Sequence, residues 1–261
     1  MADYKPNEMM TVAAARALKN DDVCFVGIGQ PSAACNLARL THAPNITLIY
    51  ESGTLATKPN ILPLSIGDGE LCETALTTVS VPEMFRYWLQ GGRIKVGFLG
   101  GAQIDKYANL NTTVVGPYEK PKVRLPGGGG APEIATSCGE IFIIMAQGKR
   151  SFVNKLDFVT SIGHVSGGAS RDKLGVKTKG PTKLITDLCM FEPGFCRLLL
   201  VWPGLVSCDG PGAGVFSVLW AKMAPPAVRA MAVASERIWR FMSSSSPVSF
   251  SLKAKIGRAH V

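Results

Sequence analysis

Hydrophobic and polar positions near the start of the chain switch between a helical spacing and short apolar runs. NEMMTVAAARALKN, residues 7 to 20, is rich in Ala and Leu. It predicts a helix with Asn7 as its cap and Asn20 as its stop. VCFVGIG (23–29) is apolar and β-branched, then turns to glycine, so a strand and a loop are expected. PSAACNLARLTHA (31–43) opens with proline, which suits the first turn of a helix. ITLIY (46–50) supplies the next strand. Strand, helix and strand in this order make a βαβ unit whose strands are parallel and buried on both faces.

The alternation continues after a Pro/Gly-rich loop over 57–70. A helix is predicted at VPEMFRYWLQGG (81–92), and strands at 94–100, 110–116, 140–146, 158–161 and 183–191, with a long loop over 163–182. The expected fold is α/β: one domain over residues 1–193, built on an open, mostly parallel sheet with flanking helices. Residues 194–261 form an atypical tail without a strand–helix period. A helix fits 225–241, and the serine-rich end reads as an unstructured polar tail.

Composition narrows the picture. The chain has 261 residues and is 46% hydrophobic, enough for one sizeable core. No apolar run is long enough to span a membrane. The N-terminus MADYKPNEMM lacks a basic stretch followed by an apolar run, so no signal peptide is expected and the cytoplasm is the expected location. The seven cysteines form no close CxxC pair and there are three histidines, so reduced thiols are expected and a metal site is not. The net charge of +9 suggests a nucleic-acid partner. Its distribution argues against one. Residues 1–195 hold 20 basic and 17 acidic groups, and residues 196–261 hold 8 and 2. The basic groups before the tail are scattered, as in EKPKVR and QGKRSFVNK, and read as solvated surface.

Candidate chemistry gathers at loops that follow strands, where open α/β sheets place their reactive groups. In ITLIYESGTLA, Glu51 stands at the mouth of a strand and is followed by Ser52 and Gly53, which let the chain turn sharply. A carboxylate there fits a base, a nucleophile, a cap or half of an ion pair. RLPGGGGAPEIA carries Gly127, Gly128, Gly129 and Gly130. Such a run can turn several N–H groups toward a phosphate or a developing oxyanion, or serve as a flexible loop. It is not a P-loop, because no G-K-[ST] follows. Gly27 and Gly29 after the first strand lack the spacing of a dinucleotide fingerprint. Gln103, Asp105, Asn109 and Asn111 lie in GGAQIDKYANLNTT, where they either bind one another and stiffen a loop or shape a substrate pocket. His164, alone in a glycine-rich loop, reads as structural or solvated.

MADYKPNEMMTVAAARALKN, ITLIYESGTL, GGAQIDKYANLNTT, PGGGGAPEIA and FVNKLDFVTS, in this order, resemble the beta subunit of glutaconate-type, family I coenzyme A transferases. The resemblance covers residues 1 to 193. It implies an open α/β fold and an alpha subunit that completes the site, with a heterotetramer as the assembly. It makes Glu51 the nucleophile, and the glycine loops, Ser52, Gln103 and Asn109 candidates around the substrates. The implied substrates are an acyl-CoA and a short carboxylic acid. Coenzyme A is itself a substrate, so no resident cofactor or metal is implied. Some relatives that hydrolyse or decarboxylate acyl-CoA compounds have lost the glutamate, which this chain retains. After DLCMFEPG the sequence departs from the family, which continues with a histidine-proline-glycine segment; the abrupt change in composition over 194–261 fits a shifted reading frame or vector-derived residues, with a divergent natural extension as the alternative.

Overall fold

The computed structural model describes residues 5–192 and 197–199. The expected helix at 225–241 and the polar end of the tail lie outside them. The first helix, α1 (Pro6–Ala17), starts one residue before the predicted cap. Pro6 occupies its first turn, and the Glu8 carboxylate accepts the Lys5 N–H at 2.9 Å, so Asn7 is not the cap. Then follow β1 (Val23–Val26), α2 (Gln30–Leu40) and β2 (Thr47–Tyr50). The two strands are parallel, with Val26 level with Tyr50, as the βαβ reading requires.

The chain reverses into β3 (Thr54–Leu55), passes α3 (Gly69–Glu73) and β4 (Thr77–Thr78), and enters the short α4 (Val81–Glu83). The predicted single helix over 81–92 is replaced by α4 and a π-helical segment at Met84–Leu89. Met84 and Leu89 are fully buried, whereas Tyr87 is exposed. After β5 (Val96–Leu99) come four two-residue strands: β6 (Gln103–Ile104), β7 (Leu110–Asn111), β8 (Val114–Val115) and β9 (Val123–Arg124). They form two small antiparallel ladders, so the strand expected at 110–116 is split and stands outside the main sheet.

Helix α5 (Ala131–Ser137) leads to β10 (Glu140–Ile144). Residues 158–161 are not a strand. Only a bridge between Leu110 and Ser161 joins them to other backbone as a ladder would. The expected loop over 163–182 contains α6 (Ser170–Lys173), and β11 begins at Pro181. The predicted strand at 183–191 is two antiparallel strands, β11 (Pro181–Ile185) and β12 (Met190–Glu192). The Thr186 hydroxyl accepts the N–H groups of Leu188 and Cys189 and makes the turn between them. Strand β13 (Arg197–Leu199) pairs with β12, so the sheet takes in residues past 193.

The main sheet has nine strands in the order β13-β12-β11-β10-β5-β1-β2-β3-β4. Its centre, from β11 to β2, is parallel. Alternate residues of each central strand serve two cores. Cys24, Val26, Leu48, Tyr50 and Phe142 pack toward α1 and α2. Phe25, Ile49, Ile141 and Ile143 pack toward α5 and the π-helix. On that second face α5 comes very close to β5. A Cβ on Gly97 would stand 2.7 Å from Cys138 Sγ and 2.8 Å from Ile134 Cγ2. The chain moves from β1 outward to β2, then returns to the other side of β1 with β5. The strand order therefore reverses between β1 and β5, the place where open α/β sheets form their crevice.

Candidate active site

Glu51 follows the last residue of β2, at the carboxyl ends of the parallel strands. A tight turn presents it. Gly53 N–H donates to the Tyr50 carbonyl at 3.0 Å, which leaves Glu51 and Ser52 at the two central positions. The turn requires glycine at its end. Gly53 has φ of 99°, and a Cβ there would meet the Val79 carbonyl oxygen at 2.0 Å. The turn is held from below by Tyr50, whose hydroxyl lies 2.6 Å from Ser32 Oγ in the first part of α2. Burial pushes the Tyr50 hydroxyl up to about 12, so it stays protonated.

The second glycine stretch arrives beside this turn. A Cβ on Gly130 would lie 2.7 Å from Glu51 Oε1 and 2.8 Å from Phe85 Cζ. The carboxylate and the edge of the Phe85 ring from the π-helix therefore both lie close to the bare α-carbon of Gly130. Gly130 stands directly before α5. The base of the loop is tied down. Gly127 N–H donates to the Thr112 carbonyl and Thr112 Oγ1 donates to the Gly127 carbonyl, each at 2.8 Å. Thr160 Oγ1 accepts from Thr112 N–H at 2.9 Å. Gly128 packs toward the Thr160 methyl group, and Gly129, at φ of 49°, has open space on its side-chain side.

Half-buried Glu51 has no hydrogen-bond or ion-pair partner among the described residues. The next residue is similar, because Ser52 Oγ is buried and unpartnered. These are the marks of polar groups held for something outside the chain. The β1–β2 register sets Gly27 alongside Glu51, and Gly29 directly precedes α2. A cleft of ≈ 340 Å³ opens there, lined by Gly27, Ile28, Gln30 and Pro31 after β1, by Phe98–Gly100 along β5, and by Ile144 of β10. It sits at the reversal of strand order.

Gln103 and Asn109 do not join this group. Both are buried and their amides are engaged within the chain. Gln103 donates to Asp157 at 2.9 Å and accepts from Asn111 at 2.7 Å. Asn109 donates to Asp105 and to the Val165 carbonyl, each at 2.8 Å, and accepts the Gly163 N–H at 2.7 Å. Of the two sequence readings of this loop, mutual bonding describes both residues. His164 is likewise structural, with Nε2 2.8 Å from the Pro181 carbonyl oxygen. Sequence reasoning missed Ser32, Phe85, Thr112 and Thr160, which hold the turn or the glycine loop. A threonine pair ahead of the glycine run was the available hint.

Residues 7–200 match the family model described as coenzyme A transferase. This chain belongs to the coenzyme A transferase family. It is 65% identical over 193 residues to a 3-oxoadipate CoA-transferase subunit of Pseudomonas knackmussii, covering 74% of each chain. It is 39% identical over 196 residues to a glutaconate CoA-transferase subunit of Acidaminococcus fermentans, covering 72% of this chain and 73% of that one. The crystal structure of glutaconate coenzyme A-transferase from the same organism matches with a TM-score of 0.69 and 35% identity, over 73% of this chain and 75% of that one. The open, mostly parallel sheet is thus the coenzyme A transferase fold, and the chain is a transferase of the beta-subunit type that moves coenzyme A between an acyl-CoA and an acid. Among the described residues no helix is long and apolar enough to cross a membrane.

Proposed function

We propose that Glu51 is the covalent nucleophile of the transfer. The supporting observation is its unpaired carboxylate, held by a tight turn against Gly130 at the carboxyl ends of the parallel strands. A Glu51 oxygen attacks the thioester carbonyl of an acyl-CoA, the C–S bond breaks, and CoA leaves as thiolate. The product is an acyl-glutamyl anhydride. The thiolate then attacks the Glu51 carbonyl carbon, which releases the first acid and leaves a glutamyl-CoA thioester. An acceptor carboxylate reverses both steps and departs as the new acyl-CoA. Charge is conserved at each stage, and one difficult exchange becomes several easier ones. Each addition creates a negative oxygen, which N–H groups of the glycine loops are suited to receive. No resident cofactor takes part.

The acid is proposed to be a 3-oxo dicarboxylic acid, a reading supported by 65% identity to a 3-oxoadipate enzyme against 39% to a glutaconate one. An alpha subunit supplies the missing walls of the site, in a heterotetramer working in the cytoplasm. A lone domain with a half-exposed carboxylate at its sheet edge cannot keep water from an anhydride. The test is to co-express the chain with an alpha subunit and supply a panel of acyl-CoA donors and labelled acids. Acid-dependent exchange is expected, fastest with the 3-oxo dicarboxylate. Hydroxylamine should convert the loaded enzyme to a hydroxamate at Glu51, seen by peptide mass. Release of CoA at full rate without an acceptor acid would instead make the enzyme a hydrolase.

A further inference from the structure

Arg171 is a buried cation that the reading above leaves unused. It is 4% exposed and forms no ion pair among the described residues. Burial pulls its guanidinium below the ordinary value, though an arginine stays charged even so. A buried charge without a carboxylate is costly unless its donors are filled. Here neutral oxygens fill them. Nη2 donates to the Ala135 carbonyl at 2.6 Å and to Thr178 Oγ1 at 2.7 Å. Nη1 donates to the Gly163 carbonyl at 2.8 Å, and Nε to the Thr178 carbonyl at 3.0 Å. Thr178 Oγ1 extends the set by donating to the Thr136 carbonyl at 2.9 Å. A Cβ on Gly180, at φ of 71°, would stand 3.0 Å from Arg171 Cζ, so the chain keeps room for the fork.

The acceptors lead to the glycine loop by two routes. The Ala135 and Thr136 carbonyls belong to the last turn of α5, where a helix leaves its carbonyls without partners of its own. Arg171 and Thr178 cap that end. The helix has seven residues and is about 10 Å long. Gly130, directly before it, lies beside Glu51 Oε1. The second route starts at Gly163. Thr160, just ahead of it, packs on Gly128 and accepts from Thr112 N–H, and Thr112 clamps Gly127. Both ends of the loop over 127–130 are thus referred to one planar group. Arginine suits this task, because its rigid fork fixes several carbonyls at once and the point charge of a lysine does not.

Resting on the reading of Glu51 as the nucleophile, we propose that Arg171 is a positioning residue for the transfer: it locks α5 to the 160–163 segment and so holds the glycine loop against Glu51. Held there, the loop walls one side of the acyl-glutamyl anhydride from water. A purely structural arginine would change only how much enzyme is folded. A positioning one changes how the intermediate divides between acceptor and water.

The experiment compares Arg171→Lys and Thr178→Val with the parent and with Met10→Ala, each co-expressed with the alpha subunit. Met10 is buried in the core on the α1–α2 face, so its truncation loosens the fold away from α5. Transfer to a labelled acid and loss of acyl-CoA to water are measured together. For Arg171→Lys the ratio of hydrolysis to transfer should rise about 10-fold, and for Thr178→Val about 3-fold, because a slightly misplaced loop spoils positioning. For Met10→Ala the ratio should stay the parent's even where total activity falls, since unfolded enzyme lowers both rates alike. The proposal is overturned if folded Arg171→Lys keeps the parent's ratio, or if Met10→Ala shifts it equally. Should Arg171→Lys not fold, Thr178→Val decides in its place, and an unchanged ratio there overturns the proposal. A parent that moves no CoA to an acid, or yields no hydroxamate at Glu51, would sink the nucleophile reading itself, an outcome distinct from these.

Discussion

Two polar loops follow central strands of this sheet, and they treat hydrogen bonds in opposite ways. The loop after β5 turns its polar side chains on itself. Gln103, Asn109 and Asn111 are buried; Gln103 is joined to Asn111 and Asp157, Asn109 to Asp105, and Asn109 and Asn111 also to backbone. The turn after β2 withholds its groups. The Glu51 carboxylate and the Ser52 hydroxyl have no partner among the described residues. Satisfied polar clusters hold a fold, whereas a carboxylate left unpaired at the carboxyl ends of the strands stays free to meet another molecule.

The contrast can be broken most directly by paired substitutions. Glu51→Gln should lower transfer by at least about a thousandfold, because an amide is a poor nucleophile. Its stability in urea should move little, by under about 0.5 kcal/mol, as no bond is lost. Asn111→Ala should do the reverse. It removes donors to Gln103 and to the Val114 carbonyl at 2.7 and 2.6 Å, and the acceptor of the Thr113 and Val114 N–H groups. A loss of about 2–3 kcal/mol is expected in urea unfolding. Equal destabilisation by the two substitutions would erase the distinction drawn between the loops.

Finer tests follow. Ser52→Ala deletes a buried hydroxyl without a partner, so stability should change by less than about 0.5 kcal/mol. A drop in kcat/KM of several-fold, roughly 3 to 10, is expected if substrate engages it. A large stability loss would show that the hydroxyl is bonded after all. The smallest effect concerns Asp157, whose carboxyl is held below its ordinary range by the Gly116 N–H and then by the Gln103 amide. A lowered acid pKa adds stability that is complete above the ordinary carboxylate range and lost as pH falls through the lowered value. Asp157→Asn should flatten the acid limb of the stability–pH curve, followed by urea midpoints at successive pH values. An unchanged acid limb would place the Gln103 side of the network outside that dependence.

Sequence reading captured what period and punctuation can encode. The β1–α2–β2 unit was legible from apolar runs, Pro31 and the glycines around them, and so was the placement of Glu51 at a strand mouth. The hairpin hidden in 183–191 was not. Leu188 and Cys189 keep the run apolar, and the turn is made by one threonine hydroxyl. FVTS at 158–161 has strand residues but lacks a neighbouring strand beyond one bridge. Gln103 and Asn109 were ambiguous because composition does not say whether a polar group faces water, substrate or another side chain. The register of β1 against β2 and the closeness of Gly130 to Glu51 depend on long-range packing, which no local pattern contains.

The bare α-carbon of Gly97 makes α5 a lever. Near its fulcrum the helix sits so low on β5 that a single methyl would strike Cys138 and Ile134. At the other end of the arm, Gly130 lies on the Glu51 carboxylate. Because α5 is short and stiff, lifting one end tilts the other. The space above the Glu51 carboxylate thus depends on the far side of the helix, on an atom that is absent from Gly97.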